Sequence, residues 1–317
     1  MRQISETLGS VLPNNFKDSI SILLDSINVL EDVSFKNMGI EFMFIPDFIQ
    51  IYGIDNFDTS VKAMERVTQF ITCELAVRPF IIKYPDKMMR QMTQWSAHEN
   101  KHVRRLSSEG SRPRLPWAMA LPAFKKDPKS ILPILEQLKT DDSEYVRRSV
   151  ANNLNDIAKD HPELVLKISR DWYGSNKETN ALVKHGLRTL LKANYPGSLE
   201  LLGYGSPNSF SLSNLTLITP KVKGGDRVEF IFSLENTSKK SQLLRMEYAV
   251  YFLLSNGKHS RKVFKISERN IKSKESFDMK RHHSFKLITT RKYYKGKHFV
   301  APIINGVENK KLDFLLI

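Results

Sequence analysis

The sequence predicts a multidomain protein, helical first and β afterwards, and three observations carry that expectation. The chain has 317 residues and a mass of 36.6 kDa, enough for two domains that each bury a core without disulfides or metals. Its hydrophobic period changes once. Apolar residues recur at helical spacing before about residue 200, as in Val146, Val150, Leu154 and Ile157, and alternate afterwards, as in Val228, Phe230, Phe232 and Leu234. Its charge changes at the same place: 27 Lys and Arg face 25 Asp and Glu before Gly205, and 22 face 9 after it, so +13 of the formal +15 is C-terminal. The domains are therefore read as 1–204 and 205–317, with the turn formers between Tyr195 and Ser209 as the link.

In the helical half the sequence repeats itself. His102-Val103-Arg104-Arg105-Leu106-Ser107 is echoed 43 residues later by Tyr145-Val146-Arg147-Arg148-Ser149-Val150, and weaker copies stand at Val61-Lys62 and Val183-Lys184. Such offsets fit two-helix repeats of the HEAT type, which bury their apolar faces only against neighbouring repeats, and an α-solenoid is expected. On the helix of Val146, residues Arg148, Asn152 and Asp156 share one polar face, and Arg105 and Glu109 form the equivalent pair one repeat earlier. Stacking would gather these groups on one concave surface. The plainer alternative is a solvated face of i, i+4 pairs worth about 0.2–0.5 kcal/mol each.

The C-terminal half alternates again in Met246, Tyr248, Val250, Phe252 and Leu254, and further strands are expected at Val263–Ile266, Phe285–Thr290, Phe299–Ile304 and Leu312–Leu316. Turns are expected at Gly224-Gly225-Asp226, Ser255-Asn256-Gly257 and Asn305-Gly306. About seven short strands in this span suggest an immunoglobulin-like sandwich, on strand count alone because the Cys-Trp-Cys pattern is missing. The window Lys258–Lys297 holds 14 basic and 3 acidic residues, a density that suits an anionic polymer, with nucleic acid foremost.

Several chemistries are excluded or set aside. A single cysteine, Cys73, rules out an intramolecular disulfide, a thiolate zinc site and an iron-sulfur cluster, and places the chain in a reducing compartment. No run approaches 18 apolar residues and the start is polar, so a soluble, cytoplasmic protein without a membrane partner is expected, and it is read as a monomer. His98-Glu99-Asn100-Lys101-His102 matches the H-E-x-x-H zinc motif, but alignment through the repeat puts a helix start between the two histidines, which would separate them. The segment Asp47–Asp58, read as a calcium loop, has Tyr52 in place of the sixth-position Gly and Asp58 in place of the last Glu. Phosphate-loop, dinucleotide and nucleophile-elbow signatures are missing. No metal or cofactor is called for.

Two runs are distinctive: VRRLSSEGSRPRLPWAMALP, from Val103 to Pro122, and YVRRSVANNLNDIAKDHPE, from Tyr145 to Glu163. Both resemble the AlkC family of DNA alkylation repair glycosylases, HEAT-like proteins related to AlkD, some of which carry a C-terminal immunoglobulin-like domain. The resemblance implies hydrolysis of the N-glycosidic bond of 3-methyladenine and 3-methylcytosine in duplex DNA, with the lesion left in a kinked duplex rather than flipped out. It implies Glu109 and Asp156 as catalytic carboxylates, Glu74 as a third and Trp117 as the site's aromatic. Arg104, Arg105, Arg112, Arg114, Arg147 and Arg148 are expected on phosphates, as are Lys258, Arg261, Lys262, Arg291, Lys292, Lys295 and Lys297 in the sandwich. Other readings stay open. Glu109 could simply pair with Arg105 or Arg112, Asp156 with Arg148 or Lys159, and Trp117 could plug a gap between repeats. The whole could be a non-catalytic HEAT scaffold for nucleic acid, or an adaptor for an acidic protein.

Overall fold

The computed structural model describes residues 1–32, 39–289 and 291–317. Two compact units emerge, Met1–Thr189 and Leu190–Ile317. The division lies earlier than the glycine-rich link suggests, because residues 190–204 fold with the strands. Tyr204 bridges Leu243, and the Asn305 amide donates to the Gly205 carbonyl at 2.6 Å.

The helices are α1 (Arg2–Val11), α2 (Phe16–Asp32), α3 (Phe44–Tyr52), α4 (Phe57–Phe70), α5 (Val77–Lys83), α6 (Pro85–Trp95), α7 (Lys101–Gly110), α8 (Pro122–Lys126), α9 (Leu132–Leu138), α10 (Glu144–Ile157), α11 (Pro162–Trp172), α12 (Lys177–Gly186), α13 (Arg188–Lys192) and α14 (Ser198–Leu201). The repeat sets their ends. Asn100 caps α7 by accepting from the His102 amide, and Asn176 caps α12 by accepting from that of Thr179. The first arginine of each Val-Arg-Arg triplet staples the turn before its own helix: Arg104 donates to the carbonyls of His98 and Glu99, Arg147 to those of Asp141 and Asp142. A second repeat runs through α6 and α11, each opening on Pro and closing on Trp. Trp95 Nε1 donates to Glu65 at 2.6 Å and Trp172 Nε1 to Glu136 at 2.8 Å. Val103, Leu106, Val146, Val150, Leu154 and Ile157 are buried as their spacing predicts. The helix of His102 starts at Lys101, leaving His98 in the turn, where its Nδ1 accepts from the Asn100 amide. The two imidazoles do not share a helix face, and the zinc motif is broken.

The second unit holds β1 (Phe210–Leu217), β2 (Lys221–Val222), β3 (Arg227–Asn236), β4 (Gln242–Leu253), β5 (His259–Ile271), β6 (Ser276–Ser284), β7 (Gly296–Ile304), β8 (Val307–Glu308) and β9 (Leu312–Leu316). One sheet runs β1-β3-β6, the other β2-β9-β7-β4-β5 with β8 beside β7; the β2–β9 pair is parallel and the other pairs of these strands are antiparallel. Val228, Phe230, Phe232 and Leu234 of β3 share the core with Met246, Tyr248, Val250 and Phe252 of β4. The three expected turns form where placed. The expected strand at Phe285–Thr290 does not form. Phe285 is buried in the core, Leu287 is exposed, and Thr290 lies outside the described residues. Besides the two-residue strands β2 and β8, two long strands escaped sequence reading for physical reasons. In β1 the alternation slips at a bulge after Ser213, so Phe210 and Leu212 are followed by Leu215 and Leu217. In β6 an inward position is taken by His283.

His283 sits among Phe264, Phe252, Phe285 and Tyr248, whose hydroxyl meets its Nδ1 at 3.0 Å. Burial first, then the charges of Arg291 and His282, depress it from 6.5 to about 4. The unfolded chain therefore takes up a proton that the folded sandwich refuses until about pH 4. Stability should be full above pH 6.5 and fall through that window, by up to about 1.4 kcal/mol per pH unit; His298, depressed chiefly by burial, adds in the same direction. Urea midpoints measured from pH 7.5 to 4.5 should show the fall, and His283→Gln should flatten it. An undiminished slope in that variant would place the acid sensitivity elsewhere.

Candidate active site

The polar face expected from the sequence is built, but it is largely dry. Glu109, at the end of α7, is 5% exposed; Asp156, on α10, is 2% exposed; Arg112, in the loop after α7, is 7% exposed. Arg112 holds both carboxylates, donating from Nη1 to Glu109 Oε1 at 2.5 Å and from Nε to Asp156 Oδ2 at 2.9 Å. The row continues at both ends. Lys159 donates to Asp156 Oδ1 at 3.0 Å, and Arg105 stands 3.8 Å from Glu109 while donating to Glu74 Oε2 at 2.6 Å. Glu74 lies in the turn before α5 and accepts a second bond from the Thr72 hydroxyl. Three carboxylates thus alternate with three cations: Glu74, Arg105, Glu109, Arg112, Asp156, Lys159.

The pairings the plain reading named are mostly present, with one correction. Arg148 does not reach Asp156; it pairs with Glu144 at the exposed surface, 3.3 Å away. Burial opposes the charge of Arg112, but Glu109 and Asp156 outweigh it and hold the guanidinium above its ordinary range. Arg105 follows the same pattern, with burial overcome by Glu74 and Glu109. Its guanidinium also lies 4.6 Å over the ring of Tyr145, an aromatic that sequence reading passed over.

The interface between α7 and α10 fixes the spacing of the row. Asn153 donates to the Ser108 carbonyl at 2.8 Å, and Ser149 Oγ to Ser108 Oγ at 3.1 Å, all buried. These short polar side chains let the helices approach closely and key their register. Gly110 serves the same end: a Cβ there would lie 2.5 Å from Val77 Cγ1, so only glycine lets α7 finish against α5.

Trp117 does not plug a gap between repeats. It is 96% exposed and sits at φ 62°, in the left-handed region that a bulky residue seldom occupies. The remaining arginines are engaged with protein. Arg104 grips Asp141 through Nε at 2.6 Å and Nη2 at 3.1 Å, Arg147 caps carbonyls, and Arg114 pairs with Asp160 at 2.7 Å through Nη2. In the sandwich, Arg261 pairs with Glu308 at 2.9 Å, Lys297 with Asp313 at 3.1 Å, and Arg291 lies 4.2 Å over the ring of Phe252. Lys258, Lys262, Lys292 and Lys295 are exposed.

Sequence reading also missed Arg78, on α5, which is fully buried and donates to the carbonyls of Gly110, Arg112 and Met119. A charged residue inside the apolar run Leu75 to Ile82 was the available signal. Cys73 is buried, and burial with the neighbouring Glu74 pushes its thiol up, which suits an inert core residue.

Residues 61–169, which contain the whole row, match the family described as "DNA alkylation repair enzyme", and residues 211–317 match the "Uncharacterised protein YhaZ, C-terminal Ig-like domain" family. The uncharacterized protein YhaZ of Bacillus subtilis (strain 168) is 45% identical over 314 residues, 99% of this chain and 85% of that one. The solved alkylpurine DNA glycosylase AlkC of Pseudomonas fluorescens, bound to DNA containing an abasic site analogue, superposes with a TM-score of 0.93 at 35% identity. That match covers 99% of this chain and 86% of the other. The chain belongs to the AlkC family of DNA glycosylases. Membership in the AlkC family settles the class question left open by the ion pairs, which a non-catalytic scaffold would also have formed. Within the residues matched to that family, the row supplies three carboxylates, each holding a protein cation.

Proposed function

We propose that the protein excises cationic N3-alkylated bases, 3-methyladenine and 3-methylcytosine, from duplex DNA. The observation that carries this reading is the sharing of one guanidinium by Glu109 and Asp156 within a chain of the AlkC family. A base alkylated at N3 is already positive, so the glycosidic bond can break with its electron pair returning to the base and no acid is needed. The sugar left behind is oxocarbenium-like. Glu109 and Asp156 would stabilise it by charge, and one of them would take the proton of the water that adds at C1′.

In the structure both carboxylates are already satisfied by Arg112. A duplex would offer that arginine phosphates instead, and Arg105 likewise, so counter-ions pass from carboxylate to backbone as DNA arrives and the carboxylates turn to the sugar. The row is filled by its own ion pairs, which favours attack on a sugar brought to the surface over base flipping. Trp117, exposed beside this row in sequence, can stack on the cationic base or the sugar, an interaction worth about 0.5–2 kcal/mol. No step calls for a metal or cofactor. Among the described residues no helix is long and apolar enough to cross a membrane, and a DNA substrate supports a cytosolic reading.

Glu109→Gln and Asp156→Asn should each lower the single-turnover excision rate by at least about 10²-fold, the loss typical of removing one group that stabilises transition-state charge, while duplex affinity changes little. Near-wild-type rates in both variants would remove these carboxylates from the chemistry.

The sandwich is proposed to contribute phosphate contacts through its exposed lysines. Each contact contributes about −0.9 to the slope of log affinity against log salt. Replacing Lys258, Lys262, Lys292 and Lys295 together by Gln should flatten that slope by about 2–4 units. An unchanged slope would make the basic surface a solubility feature.

A further inference from the structure

We infer that Arg78 is the positioning residue of this site: from beneath, it fixes the loop that carries Arg112 and Trp117, and so sets where Glu109 and Asp156 are held. Arg78 touches none of the three candidate carboxylates. Its Nε donates to the Met119 carbonyl at 2.6 Å, and its Nη1 donates to those of Gly110 at 2.9 Å and Arg112 at 2.8 Å. These acceptors bracket the segment 110–119 from both ends. A fully buried arginine is expensive to desolvate and is normally matched to a carboxylate. This one is spent on backbone carbonyls, and among the described residues its Nη2 finds no partner.

What the loop contains explains the use. It has no helix or strand of its own, two prolines at Pro113 and Pro116, and Trp117 held at φ 62°. Backbone of that kind keeps one path only when its surroundings impose it. The Leu121 amide closes the loop on the Pro113 carbonyl at 3.2 Å, and Arg78 supplies the grip from the core side. The Arg112 carbonyl and the Arg112 side chain belong to one residue, so fixing the first aims the second at Glu109 and Asp156. Desolvation, followed by repulsion from Arg112, lowers the Arg78 guanidinium to about 10, the cost of holding it there; Asp156, Glu74 and Glu109 offset part of that. Lysine cannot do the same work. Its donors radiate from one atom, whereas the planar fork of arginine reaches both ends of the loop at once.

The test uses the full chain with Arg78→Lys, and Arg78→Gln as a second variant should the buried ammonium not be tolerated. Single-turnover excision from a duplex with one 3-methyladenine is measured against enzyme concentration, alongside tryptic cleavage after Arg114. The saturating rate should drop at least about tenfold while the half-saturating concentration moves less than about threefold, since misplacement by an ångström costs rate rather than capture. The Arg114–Leu115 bond, whose Leu115 is buried, should resist trypsin in the wild type and open in the variant. A core residue without a positioning role would lower thermal stability and leave the rate of the folded fraction and the tryptic pattern alone, and that result would overturn the inference. The kinetic arm rests on the glycosylase reading. A wild type that releases no base overturns that reading, and the tryptic arm still decides for or against Arg78.

Discussion

Everything at the site depends on one guanidinium shared by two buried carboxylates. Without Arg112, Glu109 and Asp156 would be like charges held out of water at a helix interface, an arrangement that protonation or unfolding would relieve. Arg112 comes from the loop rather than from a repeat helix, so the bridge closes only where the path of that loop, the close end of α7 at Gly110 and the register of α7 on α10 all agree. As a stabilising device it is poor. Buried ion pairs often only break even against apolar packing, although removing one partner alone costs about 3–5 kcal/mol. The proposed chemistry, in which the carboxylates are offered to a cationic sugar, gives a better reason to hold them this way, since a guanidinium can be exchanged for a phosphate while an apolar wall cannot.

The parts of the structure legible in the sequence are those written in short periods. The Val-Arg-Arg repeat located α7 and α10, the i, i+4 spacing placed Glu109 and Asp156 on polar faces, and the alternation of Val228 to Leu234 gave the central strand of the sandwich. The parts not legible are long-range. The bond from Arg112 to Asp156 spans 44 residues and those from Arg78 span 32 to 41, and no periodicity encodes such links. Family resemblance reached the carboxylates but not the arginine beneath the loop. The strand at Phe285–Thr290 failed for the opposite reason. A local apolar run was taken for a ladder, whereas only Phe285 is drawn into the core.

The two halves of the chain use charge differently. In the helical half, opposite charges are gathered, dried and matched, which makes their geometry specific and leaves little net field. In the sandwich the excess is positive and mostly wet, and its pairs with Glu308 and Asp313 are surface pairs of small energetic weight. Strand β5, which among the described residues pairs with β4 alone, carries Arg261, Lys262 and Lys265 along a 13-residue edge. Such charges keep an open strand from pairing with other chains and at the same time suit a polyanion.

Base excision is the role we propose for this row of carboxylates and arginines. Its most direct test is incubation of excess protein with a duplex bearing a single 3-methyladenine, beside one bearing uracil at the same position, followed by hot alkali. Strand scission is expected at the alkylated position, with the uracil strand intact, because only the cationic base leaves without an acid. Tight binding of the alkylated duplex with no alkali-labile site, or scission at uracil, would contradict it.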